Sequence, residues 1–204
     1  KSGMRSFLAM EAAPSTKKSA PLMSAAKLAQ NVAYLAQNKK APDISVMKMV
    51  LHGRFPSLSY PRRYTSRDRE IAFSAMEKVG IADLAEKPLY SLSGGMRQNA
   101  YIAMALAQDT DYILLAEPTT YLDIAHQLDL MHILRELANS GKGIVTVMHD
   151  LPLAFDFSDT LAVINNGMIA TQATPGEIID SHITQDIFGV KIKQTQEGKC
   201  LYEY

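Results

Sequence analysis

The chain has no tryptophan and one cysteine, and it holds no surplus of either charge: 21 Lys and Arg stand against 21 Asp and Glu in 204 residues. A lone cysteine excludes an internal disulfide, and no Cys/His cluster has zinc-ligand spacing, so a reducing, cytoplasmic setting is expected. Balanced charge removes the general electrostatic reason to expect a nucleic-acid binder and leaves open only a local basic patch. Long apolar runs are also missing. The longest, Ala100 to Ala107, falls far short of the roughly 20 residues that cross a bilayer, so no direct membrane insertion is expected. No secretory signal opens the sequence, and no repeat or low-complexity tract interrupts it. What is present is a 47% hydrophobic composition, enough for one large domain with a real core and incompatible with disorder as the main state. The opening Lys1-Ser2-Gly3 reads as an entry partway through a longer pattern.

The clearest periodic signals follow residue 65. Thr65-Ser66-Arg67-Asp68 predicts a helix start, with Ile71, Ala75, Met76 and Val79 on one face and Gly80 as the stop. A helix over Asn99 to Gln108 follows a Gly-Gly pair, and Tyr112 to Ala116 is a short apolar run before Glu117-Pro118, which predicts a buried strand. Asp123 should cap a helix whose stripe is Ile124, Leu128, Met131, Leu134 and Ala138. Ile144 to Met148, rich in β-branched residues, predicts a second buried strand before His149-Asp150. Asn165-Asn166-Gly167 marks a hairpin between Thr160–Ile164 and Met168–Gln172, and Thr174-Pro175 starts another helix. Alternating strands and helices imply a parallel sheet flanked by helices, with ligands at the carboxyl ends of the strands. Residues 41–92 lack comparable strands and read as a helical insertion.

Four segments fall where that geometry would gather them. Ser93-Gly94-Gly95 opens a helix, where bare glycines and free amides make an anion site. Glu117 stands at the tip of one strand, able to polarise a water, and His149 stands at the tip of the next, able to bond a phosphate oxygen. Gln37 follows the apolar stretch Tyr34 to Ala36. Taken singly, each has an ordinary reading: a turn and cap, a carboxylate ending a strand, a structural histidine, a surface amide.

Taken together and in order, Gln37, LSGGMRQ at 92–98, ILLAEPTTYLD at 113–123 and VMHD at 147–150 resemble the ATP-binding subunit of ABC transporters. That resemblance implies an α/β, P-loop NTPase-like fold with a mainly parallel sheet flanked by helices. It implies one ABC ATPase domain over 1–204, with a core at about 1–40 and 93–204, the helical insertion at about 41–92, and hairpins and helices at about 160–204. ATP and Mg²⁺ are the implied ligands. Gln37 would sense magnesium and the attacking water. Ser93, Gly94 and Gly95 would contact the γ-phosphate of ATP held by a second subunit, Glu117 would act as general base, Thr120 to Asp123 would form the loop beside the nucleotide, and His149 would be the switch histidine. The implied partners are a second ATP-binding subunit, in a homodimer, and transmembrane permease subunits, at the cytoplasmic face of the cell membrane. Leu51-His52-Gly53-Arg54-Phe55-Pro56, Thr65 to Glu70 and Leu122 to Gln127 look like importers of the iron-siderophore, haem and cobalamin type. A DNA-maintenance ATPase with the same signature is disfavoured by the neutral charge, the absence of zinc-binding cysteines and the lack of heptad arms.

Three departures from the family pattern bear on mechanism. The phosphate-cradling pattern GxxxxGK[ST] lacks its glycines here; Lys1 and Ser2 stand where its tail would be, as nucleotide ligands with Ser2 also toward the metal, but Gly3 replaces the usual Thr. The strand that would precede that loop is also missing, which should expose an apolar edge beside the His149 strand. Ala116 stands where the family carries a magnesium-supporting aspartate, and Met96 and Asn99 replace usual signature residues. The alternative function is therefore a degenerate module that binds transporter or nucleotide without turnover.

Overall fold

The structure is a computed structural model, and it describes residues 6–11, 24–36 and 41–203. In chain order the strands are β1 (Ser6–Glu11), β2 (Val32–Leu35), β3 (Tyr112–Ala116), β4 (Gly143–Met148), β5 (Thr160–Asn165), β6 (Met168–Ala173), β7 (Lys191–Gln194) and β8 (Cys200–Glu203). The helices are α1 (Ala25–Asn31), α2 (Val46–Leu51), α3 (Ser66–Lys78), α4 (Gly94–Ala107), α5 (Ile124–Asn139), α6 (Leu151–Phe157), α7 (Pro175–Asp180) and α8 (Ile183–Phe188).

One six-stranded sheet, in the order β2-β3-β4-β1-β5-β6, carries the core, and β7 and β8 pair separately. The ladders β2–β3 and β3–β4 are parallel. β1 is antiparallel to both β4 and β5, so β5 runs with β4, and four of the six strands share one direction. Fully buried Leu35, Ile113, Ile144, Met148 and Leu161 come from these strands. The Asn166 and Gly167 backbones both take positive φ, +52° and +77°, as a tight two-residue hairpin turn requires.

β1 corrects the expectation of an open edge beside the His149 strand. Ser6–Glu11 lies in that slot, with Phe7 opposite Met148 on one side and Val163 on the other. A bare strand edge is a row of unpaired N–H and C=O groups, and a short apolar segment of the same chain satisfies both neighbours at once. The stripe of α5 also differs from expectation. Leu130, Met131 and Leu134 are buried, whereas Ile124 is 77% and Leu128 39% exposed. The helix packs against β4, and its buried residues lie in its middle turns.

Residues 41–92 begin and end at a narrow neck. Val46 N–H donates to Lys87 O and Leu89 N–H to Ile44 O, at 3.0 and 2.9 Å, around a bridge between Ser45 and Pro88. Between them, α2 and α3 pack against α4. A capping box fixes the start of α3: Thr65 Oγ1 accepts the Asp68 amide while the Asp68 carboxylate accepts the Thr65 amide. Arg54 then ties three elements together. Its Nε donates to Asp68 Oδ1 at 3.1 Å, and its Nη1 donates to the carbonyls of Ala107 and Gln108 at the end of α4.

Candidate functional site

Two parallel strands end side by side, and each delivers one functional group. Glu117 follows β3 and His149 follows β4, and the Glu117 amide donates to Val147 O at 3.0 Å, so the sheet ladder itself holds the turn. The Glu117 backbone is left-handed, with φ +51°. A side chain with a Cβ adopts that conformation at a cost of about 1–2 kcal/mol, and the surrounding turn is what fixes it. Thr120 N–H donates to Glu117 O, and Leu122 N–H donates to Thr119 O. The strained turn sets the carboxylate against the neighbouring strand, where His149 Nε2–H donates to Glu117 Oε1 at 2.7 Å. A carboxylate only accepts, so this bond places the imidazole proton on Nε2. The Glu117 side chain is 12% exposed and that of His149 49%, so the acid is shielded and the imidazole is accessible.

The second group is built at the start of α4. Ser93 is the N-cap, its hydroxyl accepting the Met96 amide at 3.2 Å. That leaves the Gly94 and Gly95 amides at the positive end of a 14-residue helix. Packing favours glycine at the second position: a Cβ at Gly95 would lie 3.3 Å from Tyr121 O, whereas one at Gly94 would make only an ordinary contact with the Tyr121 side chain. Ser93, Gly94, Gly95 and Asp123 together line a groove of about 930 Å³ that also takes in Tyr121, Asn99 and His126. Asp123 caps α5, accepting the His126 amide and His126 Nδ1 at 3.0 and 2.8 Å, and these bonds hold its carboxyl below the usual carboxylate range.

The structure thus brings Glu117 to His149 and brings Ser93–Gly95 to Asp123, but the groove of the second set is not lined by the first. What joins them is the last residue of the LSGGMRQ segment, whose role has no local signal in the sequence. Gln98, 9% exposed inside α4, donates from Nε2 to Pro118 O at 2.9 Å, fastening the glycine-led helix to the turn that carries Glu117. Gln127 does the same from α5, donating to Leu122 O at 3.0 Å. Neither the left-handed backbone of Glu117 nor that of Tyr121, φ +71°, had a sequence signal, since neither is a glycine. Lys1, Ser2 and Gln37 lie outside the described residues.

Among the described residues the Glu117 turn supplies few free oxygens toward a magnesium ion. Ala116 offers no side-chain oxygen, one Glu117 oxygen is committed to His149, and no group of three His, Cys, Asp or Glu side chains converges to hold an ion. Among the described residues no helix is long and apolar enough to cross a membrane.

Comparison with known proteins gives one consistent answer. The profile of the ABC transporter family matches residues 9–120. A petrobactin import ATP-binding protein of Bacillus anthracis is 39% identical over 81% of this chain, and a ferric enterobactin transport ATP-binding protein of Escherichia coli is 41% identical over the same share. This chain spans 62% of the length of each of those relatives. An iron(3+)-hydroxamate import ATP-binding protein of Bacillus subtilis is 40% identical over 88% of this chain and 69% of its own length. Among solved structures, an inward-facing metal-chelate type ABC transporter superposes with a TM-score of 0.73 at 26% identity, over 85% of this chain and 72% of that one. With the fold and these matches in agreement, the chain belongs to the ABC transporter family, in the likeness of siderophore-import ATP-binding subunits.

Proposed function

We propose that this chain belongs to a nucleotide-binding subunit that couples ATP binding and hydrolysis to import of an iron-siderophore-type ligand, working as a dimer against transmembrane permease subunits at the cytoplasmic face of the membrane. The observation that carries this reading is the Glu117–His149 pair at the carboxyl ends of adjacent parallel strands, fastened through Gln98 to the Ser93–Gly95 helix end. The ligand class rests on the names of the relatives alone, because nothing in an ATP-binding subunit touches the transported molecule.

In the proposed reaction a water attacks the γ-phosphorus of ATP, its proton passes to Glu117, and ADP leaves. Glu117 Oε2, which accepts only a long 3.5 Å bond from Thr120, is the oxygen free to orient that water. His149 Nε2–H, now held by Glu117 Oε1, would turn to a γ-phosphate oxygen, which its exposure permits. The Gly94 and Gly95 amides, aimed outward, would stabilise phosphate charge on a nucleotide held across the dimer. Gln37, Lys1 and Ser2 are proposed as further nucleotide and magnesium contacts from the sequence alone. No step is routed through magnesium. Loss of a supporting contact such as the aspartate replaced by Ala116 typically lowers metal affinity or activity 10- to 100-fold, so the 204-residue chain is expected to hydrolyse Mg-ATP weakly or not at all. The test is phosphate release by the purified chain and by a version carrying Ala116→Asp with a strand and a GxxxxGK[ST] loop added ahead of residue 1, the added strand taking the sheet position that β1 holds between β4 and β5. Turnover only in the second supports the reading, and robust turnover by the first overturns it.

A further inference from the structure

The net charge of zero hides a concentrated basic surface among the described residues. Between Gly53 and Arg69 the chain carries five arginines, at 54, 62, 63, 67 and 69, against Asp68 alone. Asp68 is spent on Arg54 and on the cap of α3, both inside the protein. Arg62, Arg63, Arg67 and Arg69 are all exposed, and none of them makes an ion pair among the described residues. The loop is pinned at both ends by the Arg54–Asp68 pair, whose side chains are 12% and 10% exposed, and Arg62 lies across it, 4.4 Å over the Phe55 ring. At its tip stands Tyr60, 96% exposed.

This surface is far from the candidate site. Arg54 reaches the last carbonyls of α4, whereas Asn99 near the start of that helix bonds Val79 just past the end of α3, so α3 and α4 run antiparallel and the loop sits at the end of α4 opposite Ser93. A helix of that length spans about 21 Å.

We propose that residues 58–69 form a surface that meets anionic lipid headgroups, an inference that rests on the membrane-side placement proposed above. Four exposed guanidinium groups without an ion pair among the described residues, two on the loop and two in the first turn of α3, offer their charge to singly charged phosphates. The Tyr60 ring, with its apolar body and polar hydroxyl, suits the headgroup level of a bilayer.

The experiment is co-sedimentation of the 204-residue chain with phosphatidylcholine vesicles with and without phosphatidylglycerol. Binding is expected only with the anionic lipid and should weaken with salt. Arg63→Gln with Arg67→Gln should lower partitioning roughly 30-fold, from about fivefold per arginine, while Lys191→Gln with Lys193→Gln, on β7, should leave it essentially unchanged. Far-ultraviolet circular dichroism confirms that each variant is folded. Equal binding to both vesicle types, an unchanged double-arginine variant, or tighter binding to a DNA duplex or a poly-glutamate peptide at the same ionic strength would overturn the proposal. Such a failure alongside intact hydrolysis by the loop-restored chain would leave the ATPase reading standing, and the reverse pattern would sink only that reading.

Discussion

Replacing Asp68 by alanine should be among the most damaging changes outside the sheet. The carboxylate accepts three bonds, from Arg54 Nε at 3.1 Å, Thr65 N at 2.9 Å and Thr65 Oγ1 at 2.7 Å. Its loss removes an N-cap partner, a contribution near 1 kcal/mol, and leaves the Arg54 guanidinium nearly buried with only carbonyl partners. Uncompensated buried charge typically costs about 3–5 kcal/mol. The two effects share Asp68 and do not add, so a loss of about 3–5 kcal/mol is expected, or roughly 10 °C in melting temperature for a chain of this size. Urea and thermal unfolding followed by circular dichroism measure it. A double variant, Arg54→Met with Asp68→Leu, should recover much of the loss, because replacing both partners removes the stranded charge. The pH dependence has a definite sign. Hydrogen bonds from the Thr65 backbone and hydroxyl, and then Arg54, hold the Asp68 carboxyl below its usual value. Its stabilisation is therefore present above the ordinary aspartate range and is lost as pH falls through the lowered folded value. An Asp68→Ala loss below about 1 kcal/mol, the level of an exposed ion pair, or a double variant worse than the single one, would refute the idea that this pair braces the helical region.

Three further outcomes are expected. Gly53→Ala would drive a Cβ into the backbone carbonyl of Met104, so overpacking should cost about 1–3 kcal/mol; Gly143→Ala meets only the half-exposed Tyr112 ring, which can swing away, and thermal melts should rank it milder. The Cys200 thiol is 3% exposed and pushed up to about 11 by burial and by Asp156, so Ellman's reagent at neutral pH should label it only after denaturant is added. Gln98→Leu, which cuts the tie to Pro118 O, should lower the turnover of the loop-restored chain while leaving the helix content intact, as read by phosphate release and circular dichroism.

Most regular elements were legible because their signals are local. The Thr65 and Thr174 caps, the Asn-Asn-Gly hairpin and the β-branched run of β4 each act within a few residues, and α3, α7, β5, β6 and β4 form where those signals lie. β1 and β2 were not legible, since a four- to six-residue apolar run becomes a strand only when a sheet edge is there to receive it. The same holds at the site. Glu117 and His149 could be placed at strand tips by counting, but their 2.7 Å bond depends on the parallel register of β3 and β4 and on a left-handed turn with no glycine to mark it. The role of Gln98 was not legible because its partner, a backbone carbonyl 20 residues away, has no side-chain signature.

The most direct measurement is the rate of phosphate release from Mg-ATP by the loop-restored, Ala116→Asp chain, with Glu117 intact and with Glu117→Gln. If the carboxylate at the tip of β3 takes the proton of the attacking water, the glutamine variant should fold as the parent does and lose about 10²-fold or more in rate. A Glu117→Gln rate equal to the parent's would contradict that role for Glu117.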